Sequence, residues 1–265
     1  MSSLSVTELH LYPVKSCAGI SVEQLSITEW GPSDDRRYML VDEAGKFVTG
    51  RKFPKMVLFK TELLPEGLMI TSPAGDQKLA SIPDAPERVE VEIWKDRAEA
   101  IVASPEVNDW LSRALEANVR LVHMPEDSFR QVDRDYYAAD QRIPFCDGYP
   151  VLMTNESSLT ELNTRLDETI VMKRFRPNVV VNGSAAWEED HWKHVRIGEV
   201  EFQVVKPCSR CVFTTVDPET AEKGKEPLRT LAGYRRHELG VIFGQNLVQL
   251  NQGVIKVGDE VQILA

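Results

Sequence analysis

Four cysteines in 265 residues are too few to staple a chain of this length. A core has to hold the fold, and a reducing cytoplasm is the expected setting. No apolar run approaches the roughly 18 residues of a membrane span, and residues 179–181 are typical of the strand-sized runs present. The first eleven residues lack a basic cluster followed by an apolar stretch, so no secretory signal is expected. Basic residues are in deficit: 41 acidic against 31 basic side chains leave a formal charge of −10, which argues against a nucleic-acid binder. The usual catalytic signatures are missing too. There is no Gly-x-Ser-x-Gly elbow, phosphate loop, dinucleotide glycine fingerprint or His-Glu-x-x-His. No 20–50-residue period points to a solenoid or propeller.

What is present is a strand-rich pattern. Residues 6–14, 38–41, 46–48, 57–64, 68–71 and 89–94 read as strands, with Asp42-Glu-Ala-Gly45 a turn between two of them. Alternation of Val89, Val91 and Ile93 with Glu90 and Glu92 fits a sheet wet on one face. Two helices interrupt this background. One opens at Ser104-Pro105, a cap followed by proline at the first helical position, and lines up Val107, Trp110, Leu111 and Leu115. The other opens near Thr154-Asn155-Glu156, with Leu159, Leu162 and Leu166 on one face. Strands are expected again at 178–181, 195–197, 200–205, 212–216, 247–250 and 261–264. The polar stretch 128–147 reads as a long surface loop or a lid. The fold class is α+β, strand-rich and barrel-like, with a division near residue 120 into parts 1–120 and 121–265.

Chemistry concentrates in Lys206-Pro-Cys-Ser-Arg-Cys-Val-Phe-Thr-Thr215. Arg210 stands between Cys208 and Cys211, and a guanidinium favours thiolate, the form that binds a metal or attacks. The plainer reading is two small buried hydrophobes. Zinc fits poorly, because no second Cys-x-x-Cys or paired-histidine motif completes four ligands, and Cys17 and Cys146 are isolated. An iron–sulfur cluster needs more thiolates at tighter spacing. One thiolate on a cofactor-borne metal is the economical alternative. Lys15-Ser16, Arg36, Arg51 and Arg176 stand at strand ends, where they are either solvated or, together with Asn155 and Ser157 at a helix start, donors to a phosphate.

Eight segments occur in a fixed order: Tyr12-Pro-Val-Lys-Ser16, Asp35-Arg36, Phe47-Val-Thr-Gly-Arg51, Asp147-Gly-Tyr-Pro150, Asn155-Glu-Ser-Ser-Leu159, Phe175-Arg-Pro-Asn178, Lys206-Pro-Cys-Ser-Arg-Cys211 and Phe243-Gly-Gln-Asn246. In these the chain resembles the MOSC family, named for the molybdenum cofactor sulfurase C-terminal domain. It is most similar to the YcbX-like members and more distantly to the amidoxime-reducing component. The resemblance covers essentially the whole chain and implies a MOSC β-barrel behind an N-terminal β-barrel-like part, with a few helices.

It also implies a molybdenum cofactor (a pterin dithiolene with a phosphate tail) and reduction of N-hydroxylated compounds such as hydroxylamino-purines, amidoximes and hydroxylamines. By motif position Cys211 is the metal ligand and catalytic residue, while Cys208 is structural. Cofactor contacts fall on Lys15, Ser16, Arg36, Arg176, Asn178, Ser209 and Arg210, and also on Asn155, Ser157 and Asn246. YcbX-type relatives often continue into a ferredoxin domain that this sequence does not include. Electrons are therefore expected from a separate ferredoxin-like protein or flavin reductase, with neither a nucleic-acid polymer nor a membrane as partner. Gly50 stands where relatives commonly have alanine, a change expected to be mild. The alternative function is sulfur or cofactor handling, with a persulfide carried on Cys211.

Overall fold

The computed structural model describes residues 3–83 and 85–265. Its largest sheet has nine strands. In spatial order eight of them are Val261–Ile263, His194–Ile197, Val200–Ser209, Gly240–Gln249, Val151–Asn155, Val179–Asn182, Ser5–Leu11 and Ile20–Val22, and Arg236–His237 pairs beside Gly240–Gln249. The pairing is antiparallel except between Val151–Asn155 and Val179–Asn182, which run parallel. A parallel pair needs a crossover connection, and helix α2 (Glu156–Asn163) lies in it. The first strand of the chain thus completes the sheet built by the second half. Val6, Leu9, Leu25 and Ile27 share one core with Val151, Val179, Phe202 and Leu247.

The remaining first half forms a four-stranded sheet in the order Tyr38–Val41, Arg120–His123, Asp96–Val102 and Arg88–Ile93. A three-stranded meander, Lys60–Leu64, Gly67–Thr71 and Gln77–Ala80, stands beside it. Helix α1 (Pro105–Leu115) packs Val107, Leu111 and Leu115 against Leu40, Leu68, Ile70 and Leu121. Its cap is as the sequence implies: Ser104 Oγ accepts from the Val107 amide at 3.5 Å, and Pro105 occupies the first turn. Position 120 opens a strand of this sheet, so the sheet of the first half extends past it while the chain's first strand joins the other sheet. The cleft described below lies where the two halves meet.

Local chemistry moves several expected strands. Residues 57–64 begin as a 3-10 turn, Pro54–Leu58, because Pro54 is set for a helical first turn, and the strand starts at Lys60. Residues 212–216 form a 3-10 turn, Val212–Thr215, instead of a strand. Thr214 Oγ1 donates to the Cys211 carbonyl at 3.0 Å and Thr215 Oγ1 to that of Val212 at 2.8 Å, local bonds that compete with a ladder. Lys46 and Phe47 make isolated bridges only, although the turn before them is formed, with Asp42 Oδ1 accepting from the Ala44 and Lys46 amides. Helix α3 (Leu228–Tyr234) was not anticipated. Among the described residues no helix is long and apolar enough to cross a membrane.

The four-stranded sheet carries an acid-sensitive point. The His123 ring lies 4.7 Å from that of Tyr38, and its Nδ1 is buried without a partner. Burial, aided by the Arg37 charge, pushes its pKa down to about 4. The unfolded chain takes up this proton near pH 6.5 and the folded chain only near 4, so stability is lost as pH falls through that window. Urea midpoints at pH 7, 5 and 4 are expected to decline less steeply in His123→Phe than in the parent.

Candidate functional site

Between the halves lies a cleft of about 1020 Å³. Its walls carry ten lysines and arginines against four aspartates, an excess of positive charge inside a chain whose net charge is −10. Such a cleft selects an anionic ligand.

The first half contributes the turn after strand Ser5–Leu11. Ser16, Arg36 and Arg176, three residues of the cleft wall, all adopt positive φ, at 70°, 49° and 56°. Each departs from the preferred backbone at a cost of roughly 1–2 kcal/mol, and such outliers gather where a site dictates geometry. Lys15 is buried, with Nζ donating to the Phe145 carbonyl at 2.8 Å and ion-paired to Asp147. Burial pulls its pKa below the usual lysine value, against the pull of Asp147.

Arg36 pairs with the fully buried Asp35, bonds Asn178 Oδ1 at 3.2 Å and donates to the Arg176 carbonyl at 3.1 Å. The Arg176 and Arg36 guanidiniums flank the Tyr12 ring at 4.2 and 4.3 Å from its centroid. Arg176 Nη1 donates to the Cys17 carbonyl at 2.6 Å, whereas its Nη2 is buried without a partner. Burial, with the like charge of Arg36, pushes the Arg176 pKa down to about 10.

From the second half, Arg210 is anchored by Nε to the Phe243 carbonyl at 2.9 Å and by Nη1 to that of Phe175 at 3.0 Å. Its Nη2 is also buried and unpartnered. Two arginines of one cleft wall, each with a buried and unpartnered donor, favour an anionic partner, because an unmet buried charge is expensive.

Cys208 lies on strand Val200–Ser209, which carries two register shifts against Gly240–Gln249, at Val204/Lys206 and Pro207/Ser209, and Cys211 follows its end, just before the turn Val212–Thr215. Bulges of this kind re-aim side chains. Cys208 is half-buried and Cys211 exposed, both on the cleft. Burial raises the Cys208 thiol above its ordinary value despite Arg210. Ser209 and Asn246 line the same wall, with Asn246 Nδ2 3.4 Å from the Pro207 carbonyl. Among the described residues no group of three or more His, Cys, Asp or Glu is arranged to hold a metal. An exposed thiol beside open anion donors fits a metal group that brings its own further ligands and an anionic tail.

Not every candidate reaches the cleft. Asn155 is fully buried and caps α2: its Oδ1 accepts from the Ser157 amide at 3.0 Å, and its Nδ2 is held by Ser184 Oγ, the Ala185 carbonyl and Glu189. Those bonds leave Asn155 nothing to offer a ligand, and Ser157 sits on the first turn of α2, away from the cleft lining. Asn178 lines the cleft, but its side chain is occupied by the Leu152 amide, the His10 carbonyl and Arg36, so its effect is to hold Arg36.

Arg130 belongs to the wall without any sequence signal of its own. Arg130 is buried and donates to the Pro144 and Cys146 carbonyls at 2.9 and 2.6 Å while pairing with Asp96. It pins the base of segment 128–147, whose residues 131–135 form one wall. Lys206 Nζ ties that wall to the thiol-bearing strand, 4.0 Å from the Tyr136 ring centroid and 3.6 Å from Asp133.

Gly50 is less neutral than the sequence suggests. A Cβ there would lie 2.2 Å from Cε2 of Phe213, a wall residue two positions after Cys211. Gly50→Ala is expected to push that ring aside and cost about 1–3 kcal/mol in urea unfolding, a loss that Gly50→Ala with Phe213→Leu recovers in part.

Comparison with known proteins matches residues 3–118 to the MOSC N-terminal beta barrel domain and residues 140–262 to the MOSC domain. The mitochondrial amidoxime-reducing component 1 of Danio rerio is 34% identical over 97% of this chain and 83% of its own length. That of Homo sapiens is 33% identical over 98% and 83%. The molybdenum cofactor sulfurase of Oryza sativa subsp. japonica is 32% identical over 92% of this chain, which spans 33% of that protein.

Proposed function

The chain belongs to the MOSC family, and we propose that it is a molybdenum cofactor-dependent reductase of N-hydroxylated compounds. The observation that carries this reading is the exposed Cys211 thiol on one cationic cleft with Arg176 and Arg210, each of which keeps an unpartnered Nη2. The similarity to amidoxime-reducing components supports it.

In this reading Cys211 supplies the protein's ligand to the metal. Arg176 and Arg210 take the phosphate tail, with Ser209, Ser16 and Lys15 as further donors and Arg36 holding Arg176 by its carbonyl. When bound, the cofactor supplies a two-electron centre for converting N–OH to N–H, with two electrons and two protons consumed and water released. The chain's own residues bind and orient that group, and the 131–135 wall narrows access to it. Electrons come from a separate redox protein, ferredoxin-like or a flavin reductase, and the substrates are small molecules such as amidoximes, hydroxylamines and hydroxylamino-purines.

Elemental analysis of protein from a cofactor-making host, paired with benzamidoxime reduction by a chemical reductant, tests this. About one molybdenum per chain with turnover is expected, and a well-folded protein without molybdenum would sink the reading. The likeness to a molybdenum cofactor sulfurase gives a second reading, sulfur handling through a Cys211 persulfide. Mass spectrometry showing about 32 Da added at Cys211, without turnover, would favour that one.

A further inference from the structure

Trp94 has the wrong chemistry for its place in the backbone. Strands Arg88–Ile93 and Asp96–Val102 pair Ile93 with Asp96, leaving Trp94 and Lys95 as a two-residue connection. Trp94 takes φ 56°, at the first connecting position, where hairpins of this length favour glycine. It is also exposed, at 43%, while Trp30 and Trp192 are 3% exposed. A large indole kept at a positive φ and half in water is a poor choice for the turn itself, and such conflicts gather at functional positions.

The ring is held still nonetheless. Its Nε1 donates to Asp147 Oδ1 at 3.1 Å, the Arg51 guanidinium stands 4.3 Å from its centroid, and the Phe47 ring packs at 4.9 Å. Trp94, Lys95 and Arg51 line the same cleft as Cys211. A held, exposed π surface on the wall of a polar cleft is a shelf for a flat partner, since little freedom is lost when the partner stacks.

We infer that Trp94, backed by Arg51, is a specificity-determining residue that selects substrates whose N–OH group is conjugated to an aromatic or heteroaromatic ring over aliphatic ones. This rests on the reductase reading for the identity of the reacting group. Trp94 makes no contact with the metal ligand in this account; its part is to bind the substrate's ring.

The test uses molybdenum-loaded protein, with benzamidoxime and acetamidoxime as probes, and the variants Trp94→Leu, Trp94→Phe and Trp94→Gly. Without reductant, saturation-transfer NMR is expected to show benzamidoxime ring protons contacting the parent and Trp94→Phe, and to lose them in Trp94→Leu. With reductant, KM for benzamidoxime is expected to rise about tenfold in Trp94→Leu, with kcat changing little and the preference over acetamidoxime falling by a similar factor. Trp94→Gly relieves the φ conflict while giving up the contacts with Asp147, Arg51 and Phe47, so its Tm is expected close to the parent's while the aromatic preference is lost.

Equal losses on both amidoximes, unchanged KM in Trp94→Leu, or a Trp94→Gly protein that does not fold would each overturn the assignment. Failure of the reductase reading itself looks different: neither amidoxime is reduced by the parent, and the NMR contrast still decides whether Trp94 binds flat rings.

Discussion

Cys211→Ala protein, expressed beside the parent in a cofactor-making host, is expected to fold normally, to retain less than about a tenth of the parent's molybdenum and to reduce no benzamidoxime. Cys211 is exposed and its thiol is not part of any core, so its loss removes no packing. Cys208→Ala is the informative contrast. Cys208 sits three residues earlier, inside the strand that ends at Ser209, half-buried, with a thiol that burial raises above its ordinary value. That group behaves as a small hydrophobe, and its truncation is expected to cost about 1 kcal/mol while molybdenum content and turnover stay near those of the parent. Elemental analysis with urea unfolding separates the two cases. Equal molybdenum loss in both variants would contradict the assignment of the metal ligand to Cys211 alone.

The contrast between the two thiols also shows how far residue types carry an argument. The Lys206-to-Cys211 motif is plain in the sequence, yet which cysteine faces outward depends on two register shifts that no periodicity announces. The run Val212-Phe-Thr-Thr215 is β-branched and reads as strand, but threonine hydroxyls turn it back on itself. Asn155 has the composition of a ligand-binding helix start and spends its side chain capping α2 and holding Glu189. Hydrogen-bond capacity is finite, and only the structure shows where it is spent.

The reverse error concerns residues that look ordinary. Arg130 in a polar stretch reads as solvated, yet it is buried and fixes residues 144–147. Its partners are backbone carbonyls and Asp96, 34 residues away, neither of which has a sequence signature. Trp94 is visible as a tryptophan, and its positive φ follows from the tight hairpin it sits in, but its seat on Phe47, Arg51 and Asp147 joins residues far apart in sequence. The strand-rich class, the helix caps and most of the cationic residues of the cleft were legible, because periodicity, capping chemistry and charge are local. What brings strand Ser5–Leu11 beside Val179–Asn182, and so Arg36 beside Arg176, is long-range pairing.

That junction makes Asp35 the second place where a large effect is expected. Its side chain is fully buried; Oδ1 accepts the Tyr12 amide at 2.9 Å and Oδ2 pairs with Arg36. Through Arg36 the same carboxylate fixes Asn178 and the Arg176 carbonyl in the other half. Burial pushes the Asp35 pKa up, opposed by the Arg36 charge, so each buried charge depends on the other to offset the loss of water around it. Asp35→Ala leaves the Arg36 guanidinium, whose side chain is only 12% exposed, without its counter-charge. Breaking a buried pair by removing one member costs about 3–5 kcal/mol, and that loss is expected in urea unfolding of the variant.

Asp35→Asn keeps an acceptor for the Tyr12 amide and is expected to lose less. Both variants are expected to lose cofactor out of proportion to their stability, because Arg36 no longer holds the Arg176 carbonyl and the open Nη2 donor is displaced. If Asp35→Ala loses stability while its molybdenum content matches the parent's, Arg176 keeps its place without Arg36, and the coupling between the two halves through Asp35 is not what positions the anion donors.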